Sequence, residues 1–188
     1  MLRTLEGIRV LDLSRILAGP YAAQSLGDLG ANVTKIEAPW GDDTRGWGPP
    51  FQKGFDGEVV ASYFLSCNRG KDIRSGNIKE DKIHLQSLIA KSDIVIENFR
   101  PGTFERHLGP VPKGVILCSI SGYGQNGPRR DEPAFDLTMQ ARSGIMSITG
   151  DADGPPAKVG VAWIDVMTGM NAVSSILAAL YHLSLIHI

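Results

Sequence analysis

The order of the first three segments constrains the fold more than any other feature of the sequence. The run "GIRVLDLS" (7–14) has the apolar and β-branched residues of a short strand. The segment "GPYAAQSLGDLGA" (19–31) has a proline where a first helical turn tolerates it, and "NVTKIEA" (32–38) resumes strand-like alternation. Because the connections are so short, these segments predict a βαβ unit with parallel strands and a right-handed crossover.

The same alternation continues along the chain. "KEDKIHLQSLIAKS" (79–92) has near-helical spacing, and "DIVIEN" (93–98) and "GVILCSISG" (114–122) have the apolar runs of buried strands. Helices are expected at 135–150 and 166–182, and the segment 39–59, rich in glycine and proline, is expected to be a loop. The fold class predicted is α/β, an open, mainly parallel, doubly wound (Rossmann-like) sheet, with strands near 7–13, 32–37, 93–97 and 114–120.

Composition excludes several functional classes. The 19 Lys and Arg residues nearly balance the 20 Asp and Glu residues, so no general field attracts nucleic acid or an anionic membrane. Cys67 and Cys118 lack the spacing of a disulfide framework or a zinc site. The N-terminus lacks the pattern of a secretory signal, and the apolar stretch 173–188 is interrupted by serine and histidine and is judged too short to span a bilayer. A cytoplasmic protein without a membrane anchor is therefore expected.

Ligands of open α/β sheets bind beyond the carboxyl ends of the strands. The segments there are "RILAGPY", "ENFRPG" and "SGYGQNGP", each with glycine for close backbone approach. The GxGxxG, GxxxxGK[ST] and GxSxG motifs are absent from them, which argues against NAD binding, a phosphate loop and a nucleophile elbow.

Asp165 lies at the junction of "AKVGVAWI" and an apolar helical repeat, and it has two interpretations. Aspartate is a favoured helix N-cap, and a helix is predicted immediately after it. Alternatively, a carboxylate among Val161, Trp163 and Ile164 sits in a partly apolar cleft as a covalent nucleophile. Local sequence leaves both open.

Five blocks in order resemble the family III CoA-transferases (CaiB/BaiF type): "LEGIRVLDLSRILAGPYAAQSLGDLGANVTKIEAPWGDDTR", "DIVIENFRPGTFER", "CSISGYGQNGP", "AFDLTMQARSGIMSITG" and "GPPAKVGVAWIDVMTGM". The resemblance covers nearly all of residues 5–182, and it corresponds to the N-terminal half or less of a family member. It implies one CoA-binding α/β domain over 1–182, incomplete, from the large domain of the family.

The resemblance also implies a reaction. In the family, the aspartate of the "GVAWIDVMTGM" block, here Asp165, attacks an acyl-CoA thioester to give a mixed anhydride. The released CoA thiolate then forms an aspartyl-CoA thioester, and a carboxylic acid acceptor reverses the sequence. The implied partners are acyl-CoA, a carboxylic acid and a second copy in an interlocked homodimer, and no metal is implied.

Residues beside CoA are implied by position. Ala38 departs from the family pattern, since formyl-CoA transferase has an arginine there, and "RGKDIRSGNIK" departs from the usual "NKRSIxLDLK". The residues that match CoA contacts of the family are Ile16, Leu17, Ala18, Lys79, Asn98, Phe99 and Arg106.

Two other functions compete with CoA transfer. A 2-methylacyl-CoA racemase of the same superfamily needs an acid/base pair, but Phe135 stands where such enzymes have histidine. The other is an inactive, truncated CoA-binding fragment. The last residues, "LSLIHI" (183–188), correspond to the translation of a transposon-end sequencing adapter, so a non-native tail is expected there. The segment 107–117 is also shorter than its family counterpart.

Overall fold

A computed structural model describes residues 3–54 and 57–186 of the chain. Five parallel strands form the main sheet in the order β5-β2-β1-β6-β7, and β3 and β4 form a separate antiparallel hairpin. In chain order the strands are β1 (Arg9–Asp12), β2 (Asn32–Glu37), β3 (Phe51–Lys53), β4 (Val59–Ala61), β5 (Asp72–Ser75), β6 (Ile94–Glu97) and β7 (Ile116–Ser119).

The four strands expected from the sequence are present and parallel. Val10 of β1 pairs with Val33 of β2 on one side and with Ile94 of β6 on the other. The prediction of a doubly wound sheet is confirmed, and its strand order reverses between β1 and β6. In such sheets a ligand crevice forms at the reversal.

The sequence analysis missed β5 and the hairpin. All four residues of β5 are exposed, because it is an edge strand with little apolar character to mark it. The hairpin of β3 and β4 corrects the prediction of a loop over 39–59, where glycines and prolines surround two strands of only three residues each. Residues 55 and 56 of that segment lie outside the described residues.

In the described part of the chain, six α-helices accompany the sheet: α1 (Ala18–Asp28), α2 (Ser62–Ser66), α3 (Lys82–Ala90), α4 (Thr103–Leu108), α5 (Asp136–Arg142) and α6 (Trp163–Ile186). The helix expected over 135–150 is divided, since Gly144, with φ 82°, separates α5 from the 3-10 helix Ile145–Ile148. Despite the short 107–117 segment, β7 reaches the sheet and pairs with β6.

The core occupies both faces of the sheet because side chains alternate along each strand. On one face, Val10 and Ile94 pack with Leu26 of α1 and Ile176 of α6. On the other face, Leu11 and Val95 pack with Leu85 and Ile89 of α3 and Phe104 and Leu108 of α4. Helices α1 and α6 therefore cover one side, and α3 and α4 cover the other.

Helix α6 is longer than the sequence suggested. Its segment 163–185 has 23 residues and a mean hydropathy of 1.3, so by length and composition alone it is able to cross a membrane. This corrects the prediction that the apolar C-terminal stretch is too short to span a bilayer, because that prediction considered only residues 173–188. A core helix of a soluble protein meets the same criterion, and Ala172 and Ile176 of α6 are buried, although only 17% of the apolar window is buried within the described part of the chain. The expected tail continues α6 to Ile186, and residues 187 and 188 lie outside the described residues.

Candidate active site

A cavity of about 430 Å³ opens at the carboxyl ends of the parallel strands. It lies where the strand order reverses, so its walls come from the segments that follow β1, β2, β5 and β6. The lining residues are Leu13, Ser14, Arg15, Lys35, Ile36, Glu37, Ala38, Trp40, Gly41, Asp42, Gly76, Asn77, Ile78, Lys79, Asn98, Phe99, Arg100 and Thr103.

Three of the residues implied by resemblance, Lys79, Asn98 and Phe99, line this cavity. Arg106 does not, because it lies on the exposed side of α4. The arginine at the wall is Arg100, in the same "ENFRPG" segment. That segment indicated the loop, but nothing in its spacing indicated which arginine faces the cavity.

Ile16, Leu17 and Ala18 follow the lining residues directly but are not part of the lining. Leu17 and Ala18 are buried at the start of α1, so this segment borders the cavity through the preceding turn. Asn98 binds that turn through both backbone polar groups of Arg15. Its Oδ1 accepts from the Arg15 amide at 3.0 Å, and its Nδ2 donates to the Arg15 carbonyl at 2.7 Å.

Two buried ion pairs lie under the same turn. The Nζ of Lys35 is 3.2 Å from Asp42, and the Nζ of Lys71 is 2.8 Å from Asp12. Burial by itself raises the pKa of Asp12, but the charges of Lys71 and Lys35 outweigh it and hold that pKa below its ordinary value. Asp12 also accepts from the amide and hydroxyl of Ser14. The sequence analysis singled out none of these four charged residues.

The start of α1 connects the turn to α6. A Cβ placed on Gly169 of α6 would lie 2.8 Å from the Ala18 carbonyl oxygen and 2.8 Å from the Tyr21 ring. Glycine in the "MTGM" block therefore lets the two helices approach closely. This contact lies one helical turn beyond Asp165.

Asp165 is the third residue of α6, and a different aspartate caps this helix. The Oδ1 of Asp136 accepts from the amides of Ile164 at 2.8 Å and Asp165 at 3.1 Å. The interpretation of Asp165 as the N-cap is therefore wrong. Sequence reasoning missed Asp136 because it lies on α5, far from α6 along the chain.

Buried Gln140 orients the Asp136 carboxylate. Its Nε2 donates to Asp136 Oδ2 at 2.6 Å and to the Val161 carbonyl at 3.2 Å, and its Oε1 accepts from the Val159 amide at 2.9 Å. The only feature of the sequence that could have indicated this contact was the i, i+4 spacing of Asp136 and Gln140 on a predicted helix.

The carboxylate of Asp165 has no such support. Across residues 3–54 and 57–186, no hydrogen bond or ion pair to its side-chain oxygens is found. Burial, followed by the like charge of Asp136, raises the pKa of Asp165 to about 6. Burial, with a contribution from Asp165, also raises the pKa of nearby Tyr63 to about 12, so that hydroxyl remains protonated. At neutral pH Asp165 is therefore mainly ionised, although its carboxylate is partly removed from water.

Within the described residues, no group of three or more His, Cys, Asp or Glu is arranged to hold a metal ion. The cavity wall combines the cations Lys79 and Arg100 and the amide of Asn98 with apolar side chains such as Ile78 and Phe99, and Asp165 is not part of this lining. These groups suit an anionic organic ligand and chemistry at a carbonyl.

Comparison with known proteins agrees with this geometry. The chain is 46% identical over 188 residues to a succinate–glutarate CoA-transferase of Agrobacterium fabrum, covering 95% of this chain and 47% of the relative. It is 45% identical over 188 residues to a mouse (Mus musculus) succinyl-CoA:glutarate CoA-transferase, covering 95% and 42%. The chain thus spans about half the length of the curated relatives it matches.

A solved structure and a family model give the same result. The crystal structure of a CaiB/BaiF family protein from Brucella suis superposes with a TM-score of 0.89 at 42% identity, covering 95% of this chain and 49% of that one. The family model described as CoA-transferase family III matches residues 5–184. The chain therefore belongs to CoA-transferase family III.

Proposed function

We propose that the protein moves CoA from an acyl-CoA donor to a carboxylic acid acceptor, with CoA in the cavity at the strand ends and Asp165 as the nucleophile. Family membership and the names of the relatives support the reaction class. The cations Lys79 and Arg100 at the cavity wall suit the phosphates of CoA.

One observation carries the assignment of Asp165. Helix α6 is already capped by Asp136, so the Asp165 carboxylate has no structural task in the described residues, yet it is half-buried. Leaving an uncompensated carboxylate partly out of water is costly. A reactive role offers a reason for that cost, because desolvation makes the carboxylate a stronger nucleophile.

The proposed reaction proceeds in four balanced steps. A carboxylate oxygen of Asp165 attacks the thioester carbonyl, and CoA leaves as a thiolate to give a mixed anhydride. The thiolate attacks the Asp165 carbonyl, which releases the donor acid and leaves an aspartyl-CoA thioester. The acceptor carboxylate attacks that thioester to form a second anhydride and free the thiolate. The thiolate then attacks the acceptor acyl carbon, which yields the new acyl-CoA and regenerates Asp165.

Short dicarboxylates are the acids we propose to test first, because both relatives described above are named for succinate or succinyl-CoA and glutarate. Transfer between succinyl-CoA and glutarate needs no net redox change and no added water. Glutaryl-CoA formation is therefore a direct readout of the activity.

The intermediate gives the test of this proposal. The purified protein is incubated with succinyl-CoA and then with hydroxylamine, and the modified peptides are identified by mass spectrometry. We expect a hydroxamate at Asp165 and nowhere else, and none in the Asp165→Asn variant. Asp151→Asn, a change at an exposed aspartate, serves as the matched control and is expected to leave the modification intact. Modification at another carboxylate, or none, would refute the role of Asp165.

The racemase alternative has less support. Phe135 precedes α5, is 68% exposed, and has no group able to carry a proton. If the protein were a racemase, it would exchange the α-proton of 2-methylacyl-CoA with deuterium from the solvent without any acceptor acid. We expect no such exchange.

A homodimer remains part of the proposal. Helix α6 exposes Met170 (52%) and Tyr181 (67%), and α5 exposes Leu137 (54%), which supports cover by further protein. Sedimentation of the purified protein tests this, and a monomer at micromolar concentration would argue against a dimer.

A further inference from the structure

The turn between β1 and α1, residues 13–17, has a conformation that its own sequence disfavours. Ile16 has φ 71°, and it is the only non-glycine residue with positive φ in the part of the chain that the structure describes. A β-branched residue in this region is strained, and such strain persists only where the surroundings hold it. The side chains that bind this turn therefore stabilise a conformation that the turn would not adopt by itself.

Buried side chains from outside the turn bind its backbone: Asp12 accepts from the Ser14 amide at 3.0 Å, and Lys35 and Asp42 bind the turn as a pair. The Asp42 carboxylate accepts from the Ile16 amide at 3.3 Å, and the Nζ of Lys35 donates to the Ser14 carbonyl at 2.7 Å. The two side chains are 3.2 Å apart, and each is 1% exposed. Asp42 is itself fixed by the amide and hydroxyl of Thr44, at 3.1 and 2.7 Å.

The position of this ion pair links it to the cavity. Lys35, Asp42 and Ser14 all belong to the cavity lining, and the turn continues into Ala18, which contacts α6. A change in the turn would therefore alter the cavity wall and the packing of α6, the helix that carries Asp165, against α1. The pair is fully buried, so it acts on a ligand through the turn.

We propose that Lys35 and Asp42 are positioning residues for CoA, which hold the turn of residues 14–16 in the conformation that the ligand meets. This inference rests on the proposed function of the cavity. Without the pair, Ile16 is free to relax to negative φ, and the binding-competent turn becomes a minor conformation. The apparent affinity for CoA then falls in proportion to the fraction of molecules that hold the binding-competent turn.

The test compares two double variants that each remove one ion pair. Lys35→Met with Asp42→Leu removes the pair under Ile16 together with its bonds to the turn, and removing both partners avoids an unpaired buried charge. Arg9→Met with Asp93→Asn is the control, since this ion pair lies at the other end of β1, away from the turn and the cavity lining, and Asn retains an acceptor oxygen for the Arg9 amide. Calorimetry measures the Kd for free CoA, and amide hydrogen exchange measures protection of residues 13–18.

We expect the Lys35/Asp42 variant to bind CoA about tenfold more weakly, as for a turn that is competent about a tenth of the time. We also expect it to lose protection at residues 13–18 while α3 and β6 retain theirs. The control is expected to bind within about twofold of the wild type. A loss of affinity equal in both variants, or unchanged affinity in the Lys35/Asp42 variant, would overturn the inference.

The two proposals fail separately in this experiment. A wild-type protein that does not bind CoA refutes the proposed function of the cavity, and the positioning role with it. A wild-type protein that binds CoA with the same affinity as the Lys35/Asp42 variant refutes the positioning role alone. If that variant does not fold, Lys35→Met with Asp42→Asn is measured, which still removes the ion pair and the bond to the Ser14 carbonyl, and an unchanged Kd together with unchanged protection of Ile16 overturns the inference.

Discussion

Buried charge is compensated in one region of the molecule, beneath the β1–α1 turn, and left uncompensated in another, at the start of α6. Beneath the β1–α1 turn, Lys35 faces Asp42 and Lys71 faces Asp12, so each buried charge has an opposite charge within hydrogen-bond reach. At the start of α6, the electrostatic neighbour of Asp165 is the like charge of Asp136, and no cation among residues 3–54 and 57–186 offsets it.

The difference separates positioning from reactivity. Paired and hydrogen-bonded charges fix the backbone around them, because displacing either partner exposes the other to a large desolvation penalty. A carboxylate without a partner fixes nothing and lowers stability when it is ionised, but it keeps its lone pairs available for attack. The predictions below test this contrast from the largest expected effect to the smallest.

Asp165→Asn is expected to reduce CoA transfer by at least about a thousandfold, because an amide forms neither the anhydride nor the thioester. Succinyl-CoA:glutarate transfer measured by chromatography checks this. The helix cap at Asp136 is untouched, so we expect native circular dichroism. Substantial residual transfer would show that the unpaired carboxylate is not the reactive group.

Lys71→Met is expected to reduce the free energy of unfolding by about 3–5 kcal/mol, because it leaves Asp12 charged and buried without its partner. Urea denaturation at pH 7 measures this change. Adding Asp12→Asn is expected to recover most of the loss. If the single variant is as stable as the wild type, the paired region does not depend on charge compensation.

The pH dependence of stability is expected to differ in sign between the two regions. The folded-state pKa of Asp165 is about 6, above its ordinary 3.8, so the unfolded chain ionises first and stability falls as the pH rises from about 4 to about 6. Asp165→Asn should therefore stabilise the protein at pH 7 by about 1–2 kcal/mol, a value reduced for partial exposure, and the gain should vanish below about pH 4.

Asp12 gives the opposite dependence. Its pKa is lowered in the folded protein, so its contribution is present above its ordinary value and is lost as the pH falls through the folded pKa. The cost of Asp12→Asn is accordingly expected to diminish on acidification. Urea denaturation of each variant between pH 3 and pH 8 measures both slopes, and slopes of the same sign would contradict the contrast.

The rate of transfer is expected to follow the ionisation of Asp165. Below its pKa of about 6, the initial rate should fall about tenfold per pH unit, since only the carboxylate attacks. Asp136→Asn removes the like charge and keeps an acceptor for the α6 amides, so the fall should move to lower pH. Burial remains the main cause of the raised pKa, and the midpoint should therefore stay above 3.8. An unchanged profile would show that Asp136 acts only as a cap.

The smallest effect concerns the wall of the cavity. Arg100 lines it and Arg106 does not, so Arg100→Ala is expected to weaken CoA binding about three- to tenfold, and Arg106→Ala less than about twofold. Calorimetry at low and high salt measures both, and the Arg100 effect should shrink with salt. The reverse ranking would restore the assignment of Arg106 that the resemblance implied.

Much of the fold was predictable because its strands carry strong local patterns. The runs that became β1, β2, β6 and β7 have apolar residues facing helices on both sides, and burial of this kind leaves a continuous signal in the sequence. The strand β5 was not predictable, because an exposed edge strand such as Asp72–Ser75 is held by pairing with β2 and not by burial.

The candidate site divides in the same way. Asp165 was identified from its sequence block, and Asn98 from the segment that follows β6. Three features of the site were not predictable: the cap at Asp136, the pairing of Lys35 with Asp42, and the presence of Arg100 instead of Arg106 at the cavity wall. Each depends on contacts between side chains that are distant in the sequence.

The sequence by itself determined the α/β order, the parallel sheet, the edge at which the cavity lies and the family to which the chain belongs. The tertiary structure alone decided which carboxylate caps α6 and which remains unpaired. The physical reason is that periodicity and turn chemistry act between near neighbours in sequence, whereas charge compensation and desolvation depend on distances between atoms that folding brings together.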